Sequence, residues 1–505
     1  MAKYKDYSYD QGVFLPVYFD KQILPGTFEY TLNHLIDNEL DISFFDQRYK
    51  NDETGAPAYD PRILLKVILF AYSRGITSSR KIAQCCEENI TFMALSANTR
   101  PHFTTIADFI SNLDERALAL FKEIILVCDE MGLIGKDMFA LDGCKLPSNA
   151  SKEWSGTKKD FKKKCIKLER AIERIVKRHR DVDHKEDKTD IIDIENQYIE
   201  TLKKQINKIK DWTDDNDDKP GSGGRPVKSN ITDNDSAKMM TSNGVIQGYN
   251  GVAMVDDKHQ VVVAAQAFGK GPEQSVLKPM IENTRQNLEP DVFKTTKLTA
   301  DSGFHSKKNI DMLLKQGVDS YVADRHFRKR DPRFDNSGRY KLHIPKSVKG
   351  PYTTKDFIFD PDLKYCICPA NKRLYRNGSY TDKKGFTSTR FKAPKSACLN
   401  CSKREHCLRH PDKTTVRQVA FYHERRKAPT TAADKMKQKI DSPVGKRIYS
   451  KRIGAVEPVF ANIRHALGLN RFGLRGKIKV NCQWLLFCAV HNLKKIHRYG
   501  MPQEA

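Results

Sequence analysis

Between residues 60 and 115, short apolar runs alternate with polar turns at intervals that suit consecutive short helices. Asp60-Pro61 reads as an N-cap followed by proline at the first helical position, and Ile63 to Tyr72 as a largely buried helix ending at Gly75. Ser78 or Ser79 can cap a second helix, around Ile82 to Glu88. Thr104 or Thr105 opens a third, with Ile106, Phe109 and Ile110 on one face. Helices of this size suit a helix-turn-helix DNA reader, and they suit small bundles of other kinds equally well.

The pattern then changes period. Met138 to Leu141 is a short apolar strand ending at Asp142-Gly143. From 158 to 210 the chain is rich in Lys, Glu and Asp. Ile191, Ile194, Tyr198, Leu202, Ile206 and Ile209 fall at helical spacing, which predicts an exposed helical hairpin turning near residues 181 to 189. Asp214 to Arg225 reads as a linker. Gly251 to Val255 and Gln260 to Ala265 flank the polar turn Asp256-Asp257-Lys258-His259, a hairpin signal. Lys297 to Ala300 and Ser320 to Ala323 supply two more strands. The fold class is therefore α/β, with a sheet domain interrupted by the charged hairpin and by a long stretch from about Arg325 to Gly445. The expected division is a helical domain over 1–130 and a sheet core over 131–325 with its helical insertion at 155–225. A Cys-rich insertion over 326–445 and closing helices over 446–505 complete it.

Length and charge narrow the class. A chain of 505 residues exceeds one hydrophobic core. A net charge of +25 and a pI near 9.4 favour polyanionic partners, with nucleic acid ahead of an anionic membrane surface. No apolar run approaches the roughly 18 residues that span a bilayer. Met1 to Asp10 is polar, without the apolar core of a signal peptide, so a cytoplasmic location is expected. In that compartment the twelve cysteines are expected as thiols rather than disulfides. Cys128, Cys482 and Cys488, in apolar stretches, and Cys85 and Cys86, in a predicted helix, read as buried thiols.

Two acids share one local setting. Asp142 follows Phe139-Ala140-Leu141 and Asp301 follows Leu298-Thr299-Ala300, each at the end of an apolar strand and each before a Gly or Ser-Gly turn. Strand ends of α/β sheets gather functional side chains, although an Asp there also serves simply as a turn or cap residue. Glu457 adds a third acid. From Lys446 to Lys495 there are eleven Lys and Arg residues, and Glu457 is the only acid. A lone carboxylate in a cationic segment suits a metal ligand whose neighbours hold phosphates; a structural Glu paired with an arginine is the alternative. Glu457 and Arg464 are seven apart, two helical turns, and are expected to share a face, with Tyr449 and Arg452 just upstream. Mg²⁺ takes oxygen ligands, and nucleases hold two such ions about 4 Å apart between a few carboxylates.

Taken together these residues resemble bacterial insertion-sequence transposases of the DDE type, which have an RNase H-like catalytic core. Leu141-Asp142-Gly143 and Ala300-Asp301-Ser302-Gly303-Phe304 resemble the two aspartate motifs. Thr232-Asp233, Ala237-Lys238-Met239-Met240 and Gly248-Tyr249-Asn250 resemble the segment entering the second strand. Val456-Glu457-Pro458-Val459-Phe460, Arg471-Phe472, Arg475-Gly476 and His491-Asn492-Leu493 carry the C-terminal part of the likeness, and Tyr59-Asp60-Pro61 to Phe109 the N-terminal part. Relatives have a Tyr-x2-Arg-x3-Glu-x6-Lys signature. This chain has Tyr449, Arg452, Glu457 and Arg464, one residue longer between Arg and Glu and with Arg for the final Lys.

The resemblance implies catalytic Asp142, Asp301 and Glu457 holding Mg²⁺ or Mn²⁺, with Tyr449, Arg452, Arg464, Arg471 and Arg475 on DNA. It also implies a homodimer bridging double-stranded DNA: the terminal inverted repeats and the target. The implied reaction is cleavage at the element's ends and transfer of the 3′-hydroxyl to target DNA. A domesticated nuclease without integration, or a DNA-binding regulator with a dead core, are the competing readings.

Cys366 and Cys368, then Cys398, Cys401 and Cys407, form C-x-C, a gap of 29 residues and C-x2-C-x5-C. Such spacing suits a tetrahedral structural Zn²⁺. Four ligands from five thiols leave one spare. Cys368-Pro369 resembles a position of the family, which implies the set Cys368, Cys398, Cys401 and Cys407. Cys366 is a possible substitute, and His406 or His410 a weaker one.

Overall fold

The computed structural model describes residues 17–48, 57–182, 189–221, 224–242, 244–334, 352–359, 365–381, 387–422 and 431–500. The chain divides into two compact units, one of residues 1–327 with 436–505 and one of residues 328–435.

The larger unit opens with α1 (Phe28–His34), α2 (Pro61–Ser73), α3 (Ser79–Glu88), α4 (Ile90–Leu95), α5 (Phe103–Ser111) and α6 (Arg116–Glu130). Asp60 caps α2 as its sequence predicts, accepting a hydrogen bond from Arg62 N at 2.8 Å ahead of Pro61 at the first turn. Two details differ from the pattern reading. α4 is an additional helix, capped by Asn89, whose side chain accepts from Thr91 N and Phe92 N. α5 starts at Phe103, capped by His102 rather than by Thr104 or Thr105, while Ile106, Phe109 and Ile110 are buried as expected.

The sheet comprises β1 (Met138–Pro147), β2 (Ala237–Thr241), β3 (Gly244–Asp256), β4 (Val262–Phe268), β5 (Lys297–Ala300) and β6 (Ser320–Val322). β3 is central to its assembly. One edge pairs antiparallel with β1, and the other with β2 and then β4. β5 then adds parallel to β1, and β6 parallel to β5. β1 is longer than its apolar run: it continues through Asp142 to Pro147, because β3 offers partners as far as Gly248. Asp142 therefore lies within a strand, not at its end.

α7 (Lys158–Val182) and α8 (Thr189–Asp215) form the charged hairpin; part of its predicted turn lies outside the described residues. Its seam pairs Phe161, Cys165 and Ile175 with Ile199, Leu202, Ile206 and Ile209, at spacings of three and four. Ile194 and Tyr198, expected on that face, are 66% and 53% exposed. Ile199 takes the seam instead, because the stripe follows 199, 202, 206 and 209.

α9 (Leu277–Asn287) and α10 (Lys307–Lys315) follow β4 and β5, and α11 (Ala432–Asp441), α12 (Pro443–Ala461) and α13 (Lys477–Tyr499) close the chain. α13 is buried nearly all round, from Val480 through Trp484, Phe487 and Cys488 to Ile496. It packs against β4 and also against α6 and α2, where Tyr72 stacks on Phe487 at 4.7 Å. The N-terminal helices and the sheet thus share one apolar layer. Trp484 lies flat on Gly251, where any Cβ would meet its ring at 3.0 Å, and donates to Val252 O at 3.1 Å.

Two side chains of α13 complete this seam. Asn492, fully buried, accepts from Val262 N at 2.8 Å and donates to Val262 O at 2.9 Å, as a neighbouring strand would. The ring of His491 bridges Gln260 O and Asn462 Nδ2, both at 2.9 Å. Burial pushes its pKa down to about 4, so at neutral pH Nε2 donates to the carbonyl and Nδ1 accepts from the amide.

The smaller unit is an antiparallel sheet of β7 (Ile358–Phe359), β8 (Tyr365–Ile367), β9 (Arg373–Thr381), β10 (Thr387–Lys392) and β11 (Gln418–Tyr422), in the order β11-β10-β9-β8-β7. Phe357, Cys366, Leu374, Phe391, Ala393 and Val419 form its core. No described helix in the chain is long and apolar enough to cross a membrane.

The Asn492 contact yields a test of this frame. Asn492→Ala leaves the buried N–H and C=O of Val262 unpaired, at a cost of roughly 2–4 kcal/mol. Urea unfolding followed by tryptophan fluorescence should show that loss, and an unchanged midpoint would mean the amide contributes nothing.

Candidate active site

The parallel register of β1 and β5 decides where the two aspartates meet. Leu141 pairs with Ala300, so Asp142 and Asp301 are the next residues on neighbouring strands. Asp301 leaves the sheet and caps a short turn, accepting from Gly303 N at 2.6 Å. Asp142 accepts from its neighbour Gly143 N at 2.8 Å. Its other oxygen takes Arg452 Nη1 at 2.6 Å, from α12, a helix that packs over β1 and β5.

This pair is enclosed on the arginine side. Arg452 is 7% exposed, and the Asp142 side chain 23%. Burial raises the pKa of Asp142 and outweighs the opposing Arg452 guanidinium and Gly143 N–H, while the charge of Asp301 adds to the rise. An acid whose folded pKa is raised stabilises the fold most below the ordinary aspartate range. That contribution is lost as pH rises through the raised value.

The other predicted residues take different places. Tyr449 packs edge-on against Phe327 at 5.0 Å, with the Arg452 guanidinium 5.8 Å from its ring, so it supports Arg452. Glu457 is exposed on α12, and among the described residues it makes no hydrogen bond or ion pair. The two-turn spacing to Arg464 is interrupted, because α12 gives way to a wider π-turn over Asn462–Ala466 after Pro458. Arg464 is exposed and lies beside the Cys144 thiol, two residues past Asp142 on β1. Burial pushes that thiol up to about 11, and Arg464 opposes the rise. Arg471 Nε donates to Ser148 O and Arg475 Nε to Asn149 O, both at 2.9 Å, which ties down the loop after β1.

Two neighbours were not singled out in the sequence. Glu273 lies in a short turn between β4 and α9, its side chain 15% exposed, and Lys145 of β1 reaches it at 3.5 Å. Burial raises the pKa of Glu273 against Lys145, and Asp301 and Asp142 raise it further. The one local signal is an acid directly after Gly271-Pro272, at the end of a buried strand.

In the smaller unit, Cys368, Cys398, Cys401 and Cys407 line a single cavity of about 20 Å³. Cys366 is excluded from it, buried in the apolar core. Lys372 N–H points at Cys368 Sγ at 3.4 Å, and Arg417 donates to Cys407 O at 3.0 Å. Burial pushes the Cys407 thiol up; Arg417 opposes this, and Cys398, Cys368 and Cys401 add to it. Among the described residues no three His, Cys, Asp or Glu side chains stand close enough together to hold a metal ion as they are placed.

Arg452→Gln removes the main downward influence on Asp142. Its carboxyl should then titrate at still higher pH, with the chain destabilised by roughly 2–3 kcal/mol. Carboxyl ¹³C shifts of labelled Asp142 followed against pH would measure the first effect. An unchanged titration would show that the ion pair is weak.

Comparison with known families finds two matches. Residues 17–112 match the Transposase domain (DUF772), and residues 367–497 match the Transposase DDE domain. The second stretch includes the four cavity cysteines, Glu457 and His491; neither includes Asp142 or Asp301. No curated protein matches the chain. In these two stretches the chain is similar to transposase domains, one of them of the DDE type.

Proposed function

We propose that this protein is the DNA transposase of an insertion sequence, which binds terminal inverted repeats, cleaves at the element's ends and joins each 3′-hydroxyl to target DNA. The observation that carries the reading is the juxtaposition of Asp142 and Asp301 on neighbouring parallel strands beneath α12, in a chain with two transposase-domain matches. The strand order β4-β3-β1-β5-β6, antiparallel up to β1 and parallel after it, supports an RNase H-like core.

Asp142, Asp301 and Glu457 would hold Mg²⁺ or Mn²⁺, since carboxylate oxygens suit hard cations. Such cations, when bound, activate the attacking oxygen and offset charge on the phosphate. The chain's own groups do the rest. Arg452 fixes the orientation of Asp142, and Tyr449 supports Arg452. Arg464, Arg471 and Arg475 are exposed around the loop and strand beside Asp142, and they supply positive charge to backbone phosphates. Two ends processed in concert need two such centres, so the working form is a homodimer on double-stranded DNA.

Structural zinc belongs to the same proposal. The four thiols line one cavity and would have to draw together around the ion to make a closed tetrahedral donor set, with Arg417 beside Cys407 opposing the rise that burial causes there.

Two experiments test the reading. Purified protein incubated with the DNA flanking its gene and Mg²⁺ or Mn²⁺ should cut at the element's ends, and Asp301→Ala should lose that activity by about a hundredfold or more. Binding without metal-dependent cleavage by either protein would leave a DNA-binding regulator. The purified chain should also carry about one zinc. Cys401→Ser should remove it and Cys366→Ser should not; an unchanged metal content in Cys401→Ser would overturn the ligand set.

A further inference from the structure

The charged hairpin carries one face whose composition its folding does not require. On α7 the apolar seam follows Phe161, Cys165, Leu168, Ile172 and Ile175. On the opposite side Lys159, Lys163, Lys167, Arg170, Arg174 and Lys177 recur at spacings of four and three, and all are exposed. Lys159 and Lys177 are 18 positions apart, so this stripe is about 27 Å long.

Among the described residues none of these cations takes part in an ion pair. The nearby acids are engaged elsewhere: Lys210 of α8 holds Glu169 at 3.4 Å, and Lys228 lies 3.9 Å from Asp160. Exposed Glu173 only borders the stripe. α8 shows what a solvated face of the same hairpin is like, since it mixes signs and pairs Glu200 with Lys203 at 2.9 Å. Like charges three and four positions apart on a helix repel one another. An unmixed row of them is a cost to the hairpin that an external polyanion offsets.

The hairpin is also built onto the strand that carries Asp142. β1 ends at Pro147, and the loop after it, braced by Arg471 and Arg475, leads to the hairpin's root. There Ser155–Gly156 pairs with Ser229–Asn230. Buried Asn230 donates to Ser151 O at 2.7 Å and to Ser155 Oγ at 2.9 Å. Ser155 Oγ donates in turn to Gln247 Oε1 of β3 at 3.0 Å. Nζ of Lys164 in α7 stands 4.0 Å from the centre of the Trp154 ring, and that of Lys208 in α8 stands 5.2 Å from it. The stripe is thus joined to β1 by ordered contacts rather than by a free linker.

Resting on the reading of the chain as a transposase, we propose that the α7 stripe is an arm for double-stranded DNA, which holds the phosphate backbone of the duplex engaged at the active site. Each strand presents a phosphate about every 3.4 Å of the duplex axis, so a row about 27 Å long meets several in succession. Lysine and arginine contacts of this kind position a duplex without reading its bases.

The test is the salt dependence of duplex binding by the full chain, followed by fluorescence anisotropy with a labelled duplex of the element's end. Lys163→Gln, Arg170→Gln and Arg174→Gln combined should lower the slope of log K against log salt by roughly 2–3. Lys203→Gln, Lys204→Gln and Lys210→Gln combined, on α8, remove the same charge and should change the slope by less than about one. Lys163→Arg with Lys167→Arg, which keeps the charge, should bind as the wild type does. An unchanged slope in the α7 glutamine variant, with the wild type binding DNA, would make the stripe a solvated face and overturn the proposal while the transposase reading stands. Equal losses in the two glutamine variants would overturn it too, since net charge alone would then decide binding. An unchanged slope with a new oligomeric state in light scattering would make the face a contact between copies of the chain. A wild type that binds no duplex would remove the proposal and the transposase reading together.

Discussion

Two carboxylates at equivalent positions of neighbouring parallel strands repel each other, and much of the larger unit can be understood as the means of tolerating that. β1 and β5 bring Asp142 and Asp301 together through backbone hydrogen bonding alone, without regard to charge. Positive charge has to come from elsewhere: Arg452 from α12 on one side and Lys145, by way of Glu273, on the other. Arg452 can reach Asp142 only if α12 lies across the sheet, where its Phe460 stacks on Trp484, the ring that lies on Gly251. Removing either charge partner leaves a half-buried carboxylate whose ionisation the protein interior opposes.

Several residues by which the chain resembles DDE transposases make framework contacts. His491 and Asn492 act as a surrogate strand edge for the β3–β4 turn and β4, with the imidazole kept neutral by burial. Asp233 accepts from Tyr249 Oη at 2.7 Å and from Gly476 N at 3.2 Å, which joins the entry of the sheet to the start of α13. Arg471 and Arg475 brace the loop after β1. Motif residues of this kind preserve the distances between the acids, because small shifts of packed elements would move Asp142 off Asp301.

The strands at 251–265, 297–300 and 320–323 and the cap at Asp60 were legible because each depends on local chemistry: alternation, turn residues and the proline at the first turn of a helix. The true length of β1 was not, since polar Asp142, Gly143 and Lys145 stay in the sheet only through pairing with β3, about a hundred residues away. Ile194 and Tyr198 misled for the opposite reason: helical spacing does not say which of two overlapping stripes meets the partner helix. At the site, Asp142 and Asp301 stood out by their repeated strand-end setting and Glu457 by its isolation in a basic segment. Glu273 had no such contrast, and Lys145 looked like any other lysine, because their significance arises only when α9 and β1 are folded together. The four cysteines among five were chosen by resemblance alone; that Cys366 turns into the core could be seen only from strand pairing.

The long separation between partners has a consequence for the life of the chain in the cell. Arg452 and Asp142 are 310 positions apart, with Asp301 between them. At about 5–20 residues per second, roughly eight to thirty seconds pass between the emergence of Asp301 from the ribosome and that of Arg452. Throughout that interval the aspartates are present without the guanidinium, and β4 lacks the cover of α13. The centre is therefore completed only as synthesis approaches its last helices. A fragment interrupted earlier carries both aspartates and remains without the arginine that partners Asp142.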